Sequence, residues 1–264
     1  MNRTCLLFVA LIATVSVASA QEVRASITGT VTDAQGAAVP GVTITATNIA
    51  NNSVITQVTN VAGLYLTPFL RPGTYRLTAE KQGFRRYVRD GIILQVQDRP
   101  RLDIVLEVGD LAQSVTVNAE VSQLQTETAS RSQVIANELI SQVPTQGRNP
   151  FQIAWAAPGV VKTGGWRYLR SFDIAGTSNF AVNGGRNREN EVLLDGISNV
   201  RGNRTVIHVP TMESVQEFKV QTNTYDSQYG RTGGGVVTIV TKSGTNALHG
   251  TVFEDFQVEE LNAN

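Results

Sequence analysis

The sequence has 264 residues, with 22 Lys and Arg against 22 Asp and Glu, a formal net charge of zero. That balance excludes the broad basic footprint of a nucleic-acid binder or of a protein held on anionic lipid. Only 17% of residues are charged and there is a single cysteine, so the fold rests on burial without an internal disulfide.

The N-terminus has three parts. Arg3 gives a short positive start, CLLFVALIATVSVA is apolar but short for a membrane span, and ASA offers a small-x-small pattern ending at Ala20. This reads as a secretory signal peptide over residues 1–20, cleaved between Ala20 and Gln21; an uncleaved N-terminal anchor is the other reading. Cys5 precedes the apolar stretch, so the mature chain is expected to hold no cysteine. Removing Arg3 leaves 21 basic against 22 acidic residues, a net charge near −1. The remaining length suits about two domains, and its Gly, Thr, Val, Asn and Gln favour strands and turns. Nothing after residue 20 approaches the ~20 apolar residues of a membrane helix.

From Ala25 to about Val108 the chain alternates with period two. Ile27, Gly29 and Val31 fall on one side of ITGTVTD, and Val42, Ile44 and Ala46 on one side of VTITATN. Tyr75, Leu77 and Ala79 do so in TYRLTAE, and Leu102, Ile104, Leu106 and Val108 in RLDIVLEV. Such alternation predicts half-buried strands. DAQGAAVPG, NIANNS and RPG supply turns between them. Short strands with one buried face predict a two-layer antiparallel sandwich, with Tyr65, Phe69 and Tyr75 in its core.

GTVTDAQGAAVPGVTITATN and TNVAGLYLTPFLRPGTYRLTAEKQGFRR together resemble the carboxypeptidase regulatory-like domain over residues 24–108. The resemblance implies a seven-stranded-type β-sandwich with a prealbumin-like, carbohydrate-binding-like fold. It does not bring a peptidase, which needs His and Glu ligands around an open zinc position. His208 and His249 stand in no H-x-x-E spacing and read as surface or turn residues. The fold name implies carbohydrate binding only by analogy, and no cluster of Trp or Tyr is set to stack sugars. No catalytic residue, cofactor site or metal site is expected.

Residues 109–133 are polar, with one alternating patch, Ser114, Val115, Thr116, Val117, Asn118 and Ala119. They read either as a linker with an extended segment or as a last sandwich strand followed by a loop. VIANELISQVP then places Val134, Ile135, Leu139, Ile140 and Val143 at near-helical spacing before Pro144. GRNPFQIAWAAPGV predicts a second short helix, with Trp155 in the core, and the segment around Trp166 reads as a loop. FAVNGG and NEVLLDGIS predict short strands, the latter closing in an Asp195-Gly196 turn. PTMESVQEFKVQTN predicts a helical turn leading to a strand over about 217–222, and YDSQYG a short helix or turn.

Three glycines in YGRTGGGVVTIVTKSG raise a phosphate loop as one reading. Such a loop runs into a helix N-terminus, whereas these glycines lead into a β-branched run that prefers a strand. Thr241 stands where G-K-[ST] needs glycine, and Thr238 where G-x-G-x-x-G does. No G-x-S-x-G and no paired-carboxylate constellation is present.

ELISQVPTQGRNPFQIAWAAPGVV, FAVNGGRNRENEVLLDGI and VPTMESVQEFKVQTNTYDSQYGRTGGGVVTIVTKSGTN, in that order, are similar to the plug of TonB-dependent outer-membrane receptors over residues 134–245. A sandwich in front of the plug looks like the Oar-like branch. QEFKV departs from the family's acidic residue before the apolar strand end, and QTNTYDSQYG lacks a Gly-Pro of other branches, which leaves branch and substrate open.

The resemblance implies a small mixed α/β plug with a flexible glycine corner, seated in an outer-membrane barrel. It also implies a TonB-type energy-transducing partner that adds a strand to a TonB box, for which Ser114–Ala119 is the candidate. A barrel needs many strands of about 9–11 residues, and only HGTVFEDFQ, within residues 246–264, is available to begin one. The expectation is the periplasm-facing and plug part of a receptor, truncated and unable to transport by itself. The alternative is a free exported module binding a carbohydrate or peptide ligand. GGRNREN and SNVRGNR read as solvated plug loops.

Overall fold

The computed structural model describes residues 24–110, 114–118, 131–143, 145–163, 173–223, 229–230, 232–248, 250 and 252. The signal segment, the loop around Trp166, His249 and most of HGTVFEDFQ lie outside them. The described chain is mainly β, built as a sandwich followed by a mixed sheet.

In the sandwich, β1 (Ala25–Asp33) lies between β4 (Leu64–Leu70) and β7 (Ile104–Leu106). The facing sheet runs β3 (Val54–Val58), β2 (Thr43–Asn48), β5 (Gly73–Glu80), β6 (Arg86–Leu94) and β8 (Ser114–Asn118). Alternation does what the sequence implies: Ala25, Ile27 and Val31 of β1 are buried between the sheets with Ile44, Leu77 and Ile104. The Tyr65 hydroxyl donates to the Leu102 carbonyl at 2.7 Å, so its polar end is satisfied inside the core. The pairing is not wholly antiparallel: β7 runs parallel to β1, and β8 parallel to β6. After β6 the chain crosses to the other sheet and then returns, and each crossover delivers a strand in the direction of its neighbour.

Gly29 explains its own place in β1. A Cβ there would stand 2.0 Å from the Leu102 carbonyl oxygen and 2.8 Å from the Tyr65 ring. The Leu102 amide donates to the Thr28 carbonyl at 2.7 Å, which draws the two backbones together at this point.

Two predicted core positions are corrected. Phe69 is 54% exposed, under the guanidinium of Arg24 at 4.6 Å from its ring centroid. The β1–β4 register slips between Ala25–Leu70 and Ile27–Thr67, and Phe69 sits in the slip with φ 63°. The irregularity turns its side chain out of the alternation. Val108 is exposed as well, because β7 ends at Leu106 and the inward face ends with it.

The second sheet runs β13 (Ile197–Ser198), β12 (Glu191–Leu194), β15 (Val236–Thr241), β14 (Val215–Asn223) and β9 (Arg131–Ala136). The central strand β15 pairs parallel with β12 and antiparallel with β14. Its first five residues are buried, as a β-branched run between two covered faces requires. Beside this sheet lie the hairpin β10 (Val160–Lys162)–β11 (Phe180–Val182) and three short helices: α1 (Asn137–Gln142), α2 (Phe151–Ala154) and α3 (Ile174–Thr177). Phe151 of α2 meets Phe218 of β14 edge-on at 5.7 Å in the main core cluster.

Val134 and Ile135 belong to β9 and not to a helix. They pair with Lys219 and Phe218 of β14, so sheet hydrogen bonding overrides their helical spacing. Leu139 and Val143 are exposed, and Ile140 alone of the predicted stripe on α1 points inward. Trp155 is half-buried at the edge of the core, with Lys162 Nζ 4.8 Å from its ring centroid. Asp195 and Gly196 form the expected tight turn, with φ 49° and 85°.

The glycine run before β15 acts by size and not as a left-handed corner; none of Gly233, Gly234 and Gly235 has positive φ. A Cβ on Gly234 would lie 2.3 Å from Asn190 Oδ1, and one on Gly235 would lie 2.6 Å from a Val182 methyl. The Gly235 amide donates to Asn190 Oδ1 at 3.1 Å, and Asn190 Nδ2 donates to the Phe180 carbonyl at 2.7 Å. One asparagine thus ties the entry of β15 to β11, and only a bare backbone fits against it.

Candidate functional site

The sequence singled out Ser114–Ala119. Ser114–Asn118 is β8, in register with Arg86–Asp90 of β6; Ala119 lies outside the described residues. Strand pairing therefore carries the sandwich sheet past Val108 to Asn118. β8 is the last strand on its side of the sheet, with one edge of backbone donors and acceptors not used by a neighbouring described strand. Ala20 and Gln21 lie outside the described residues. Among the described residues no three His, Cys, Asp or Glu side chains are grouped to hold a metal ion.

A second locus was not singled out by the sequence. Along β14, Phe218 and Val220 face the main core, so Glu217, Lys219 and Gln221 share the opposite face. Lys219 is 3% exposed and Glu217 5%. The β6–β7 loop of the sandwich plugs onto this face. Its tip is a turn in which the Gln95 amide donates to Asp98 Oδ2 at 2.9 Å and Gln97 adopts φ 60°. That turn presents both backbone groups of Val96 to the sheet. The Val96 amide donates to Glu217 Oε1, and Lys219 Nζ donates to the Val96 carbonyl at 2.8 Å. Lys219 Nζ also lies 4.0 Å from Asp98 Oδ1, and Gln97 Nε2 donates to the Tyr229 hydroxyl. Two side chains of one strand thus grip both backbone groups of one residue, Val96, in another domain.

The electrostatics follow from the removal of water. Burial pushes the Glu217 carboxyl up from 4.5 to about 7; the Val96 amide and Lys219 pull it down, while Asp98 pushes it further up. Burial pulls the Lys219 ammonium down, Asp98 and Glu217 raise it, and Arg99 lowers it. A carboxyl raised in the folded state holds its proton more tightly there. The stability this gives is complete below about pH 4.5 and is lost as pH rises through about 7. Lys219 acts in the opposite sense, since the unfolded chain holds its proton more tightly, so its contribution grows towards alkaline pH. Glu217→Gln keeps an oxygen for the Val96 amide and removes the titration. The expected result is loss of the downward slope of unfolding free energy between pH 4.5 and 7, with stability at pH 8 at or above that of the parent. Urea titrations at several pH values read this directly, and an unchanged slope contradicts the assignment.

The signal was present in QEFKV as an acidic and a basic residue two apart within an apolar strand. What the sequence lacked was the loop that meets them, more than a hundred residues away.

Comparison with known proteins matches the sandwich residues to a known domain. Residues 26–107 match the carboxypeptidase regulatory-like domain. The chain is 32% identical over 241 residues to the TonB-dependent transporter Oar of Myxococcus xanthus, an alignment covering 88% of this chain and 22% of that protein. It therefore spans about a fifth of the length of that relative. Among solved structures, 5-hydroxyisourate hydrolase of Klebsiella pneumoniae is 23% identical, with 32% of this chain and 91% of that one covered at a TM-score of 0.27. Catechol 1,2-dioxygenase of Acinetobacter radioresistens is 14% identical, with 39% and 57% covered at a TM-score of 0.26. Likeness at that level says nothing of activity. The chain is thus similar, along 88% of its length, to part of a TonB-dependent transporter, and its residues 26–107 match the carboxypeptidase regulatory-like domain.

Proposed function

We propose that this chain is the periplasm-facing and plug portion of a TonB-dependent outer-membrane receptor. The observation that carries the reading is similarity to a TonB-dependent transporter along 88% of the chain, which extends beyond the sandwich into the mixed sheet. The sheet suits a plug physically: its central strand is buried on both faces, and the buried Glu217 and Lys219 are paired with the sandwich. In this reading the chain is exported, works at the outer membrane and has no enzymatic activity of its own. Transport belongs to the assembly with a barrel.

The energy-transducing partner would dock by strand addition at Ser114–Ala119. What supports this is the open edge of β8, since backbone hydrogen bonding supplies the affinity of strand addition and needs little sequence specificity. Fractionation of the source organism, probed with an antibody to this chain, is expected to place it in the outer membrane; a wholly soluble periplasmic product contradicts the receptor reading. Val117→Pro removes a backbone donor from β8, and binding to the periplasmic domain of a TonB-type protein is expected to fall at least about tenfold. Equal binding by the variant removes β8 from the docking surface.

A further inference from the structure

Between the sandwich and the second sheet lies a cavity of about 370 Å³. The β4–β5 turn lines one wall with Arg71 and Pro72, and Arg24 stands beside them. The end of β15 lines the other with Thr241, Lys242 and Ser243, above a floor that includes Val240. Arg24, Arg71 and Lys242 bring three positive charges to it, against one carboxylate, Asp195. That carboxylate is engaged: Asp195 accepts from the Thr241 amide at 2.9 Å and from the Thr241 hydroxyl at 2.7 Å. Neither the Arg71 guanidinium nor the Lys242 ammonium has an ion pair or hydrogen-bond partner among the described residues. The Arg71 carbonyl accepts from the Tyr75 hydroxyl at 3.0 Å, which fixes the turn carrying its side chain. In a chain that balances its charges, two cations without an ion pair among the described residues thus line one cleft, one from each domain.

We propose that this interdomain cleft binds a phosphate group carried by a small molecule or a lipid headgroup. Like charges facing each other across a cleft repel, and an anion between them turns that repulsion into two charge-assisted hydrogen bonds. Arginine offers a planar fork of donors, lysine a compact point charge, and the Ser243 hydroxyl a third donor type, a set that suits a tetrahedral oxyanion. The cavity is within the volume range of small-molecule sites, so it holds the group that the phosphate is attached to as well. Because the two walls come from different domains, the ligand binds only when they are docked and stabilises the docked arrangement. The inference stands without the receptor reading.

The test uses the full exported chain at constant ionic strength. Glycerol 3-phosphate is titrated while the unfolding temperature and binding heat are followed, with sodium chloride as control and phosphatidylglycerol vesicles in a parallel sedimentation arm. A saturable rise with glycerol 3-phosphate assigns a soluble phosphate ester, and sedimentation with vesicles alone assigns a headgroup. Arg71→Gln and Lys242→Gln are each expected to weaken the binding that is seen by about tenfold. Asp195→Asn keeps an acceptor for Thr241 and removes the opposing charge, so it is expected to tighten binding several-fold. No response to either phosphate probe beyond chloride overturns the proposal. So does binding indifferent to Arg71→Gln and Lys242→Gln, or weakened by Asp195→Asn.

Discussion

Lys219→Ala is expected to destabilise the chain by about 3–5 kcal/mol at neutral pH, the range for removing one partner from a buried charged set. The loss has two sources. The Val96 carbonyl loses its donor, and Glu217 and Asp98 are left as buried carboxylates without the ammonium between them. Because Glu217 already sits near 7, lowering the pH lets it take up a proton and remove one of the two charges. Part of the loss is therefore expected to return between pH 8 and pH 5, the direction opposite to ordinary acid destabilisation. The cluster also couples the two folding units. Urea unfolding of the parent is expected as one transition, and of Lys219→Ala as two, followed by the fluorescence of Trp155 and Trp166, both of which follow the sandwich in sequence, and by far-ultraviolet circular dichroism for the whole chain. A loss under about 1 kcal/mol, or a single transition shared by parent and variant, would show that Lys219 does not join the domains.

Gly29→Ala tests the sandwich alone. The added methyl would stand 2.0 Å from a backbone oxygen and 2.8 Å from a buried tyrosine ring. Overpacking of a core side chain costs about 1–3 kcal/mol because neighbours shift; here the obstacle is the Leu102 carbonyl, held by its own amide's bond to Thr28, so at least about 3 kcal/mol is expected. Thermal unfolding should show a sandwich that melts roughly 10 °C or more below the parent's single transition, or no folded sandwich at all. Gly36→Ala is the contrast: its Cβ would meet nothing within 4 Å, and its cost comes from a φ of +83° alone, about 1 kcal/mol. Equal losses at the two glycines would refute the crowding argument.

The difference between these glycines shows where sequence reading stops. The G-x-V opening marks Gly29 as part of a recognisable pattern, and its alternation with Ile27 and Val31 places it on the inner face. That only a hydrogen atom fits there depends on the 101–103 segment crossing over it, which no local pattern encodes. Gly233–Gly235 invite a turn reading for the same reason; the structure shows a crowded strand entry held by Asn190.

The sequence by itself determined the β character of the chain, the inward faces of β1, β2 and β5, the Asp195-Gly196 hairpin and the strand fate of the run after the glycines. Each follows from side-chain period, β-branching or turn chemistry, which act over a few residues. Tertiary structure decided the rest. It turned Phe69 outward through a register slip, drew Val134 and Ile135 into a strand against β14, and joined β8 to the sandwich. It also brought Val96 between Glu217 and Lys219, and Arg71 opposite Lys242. The first three rest on strand pairing and register; the last two unite residues far apart in the chain, and their energies come from desolvation and charge proximity, quantities that exist only once the domains have packed.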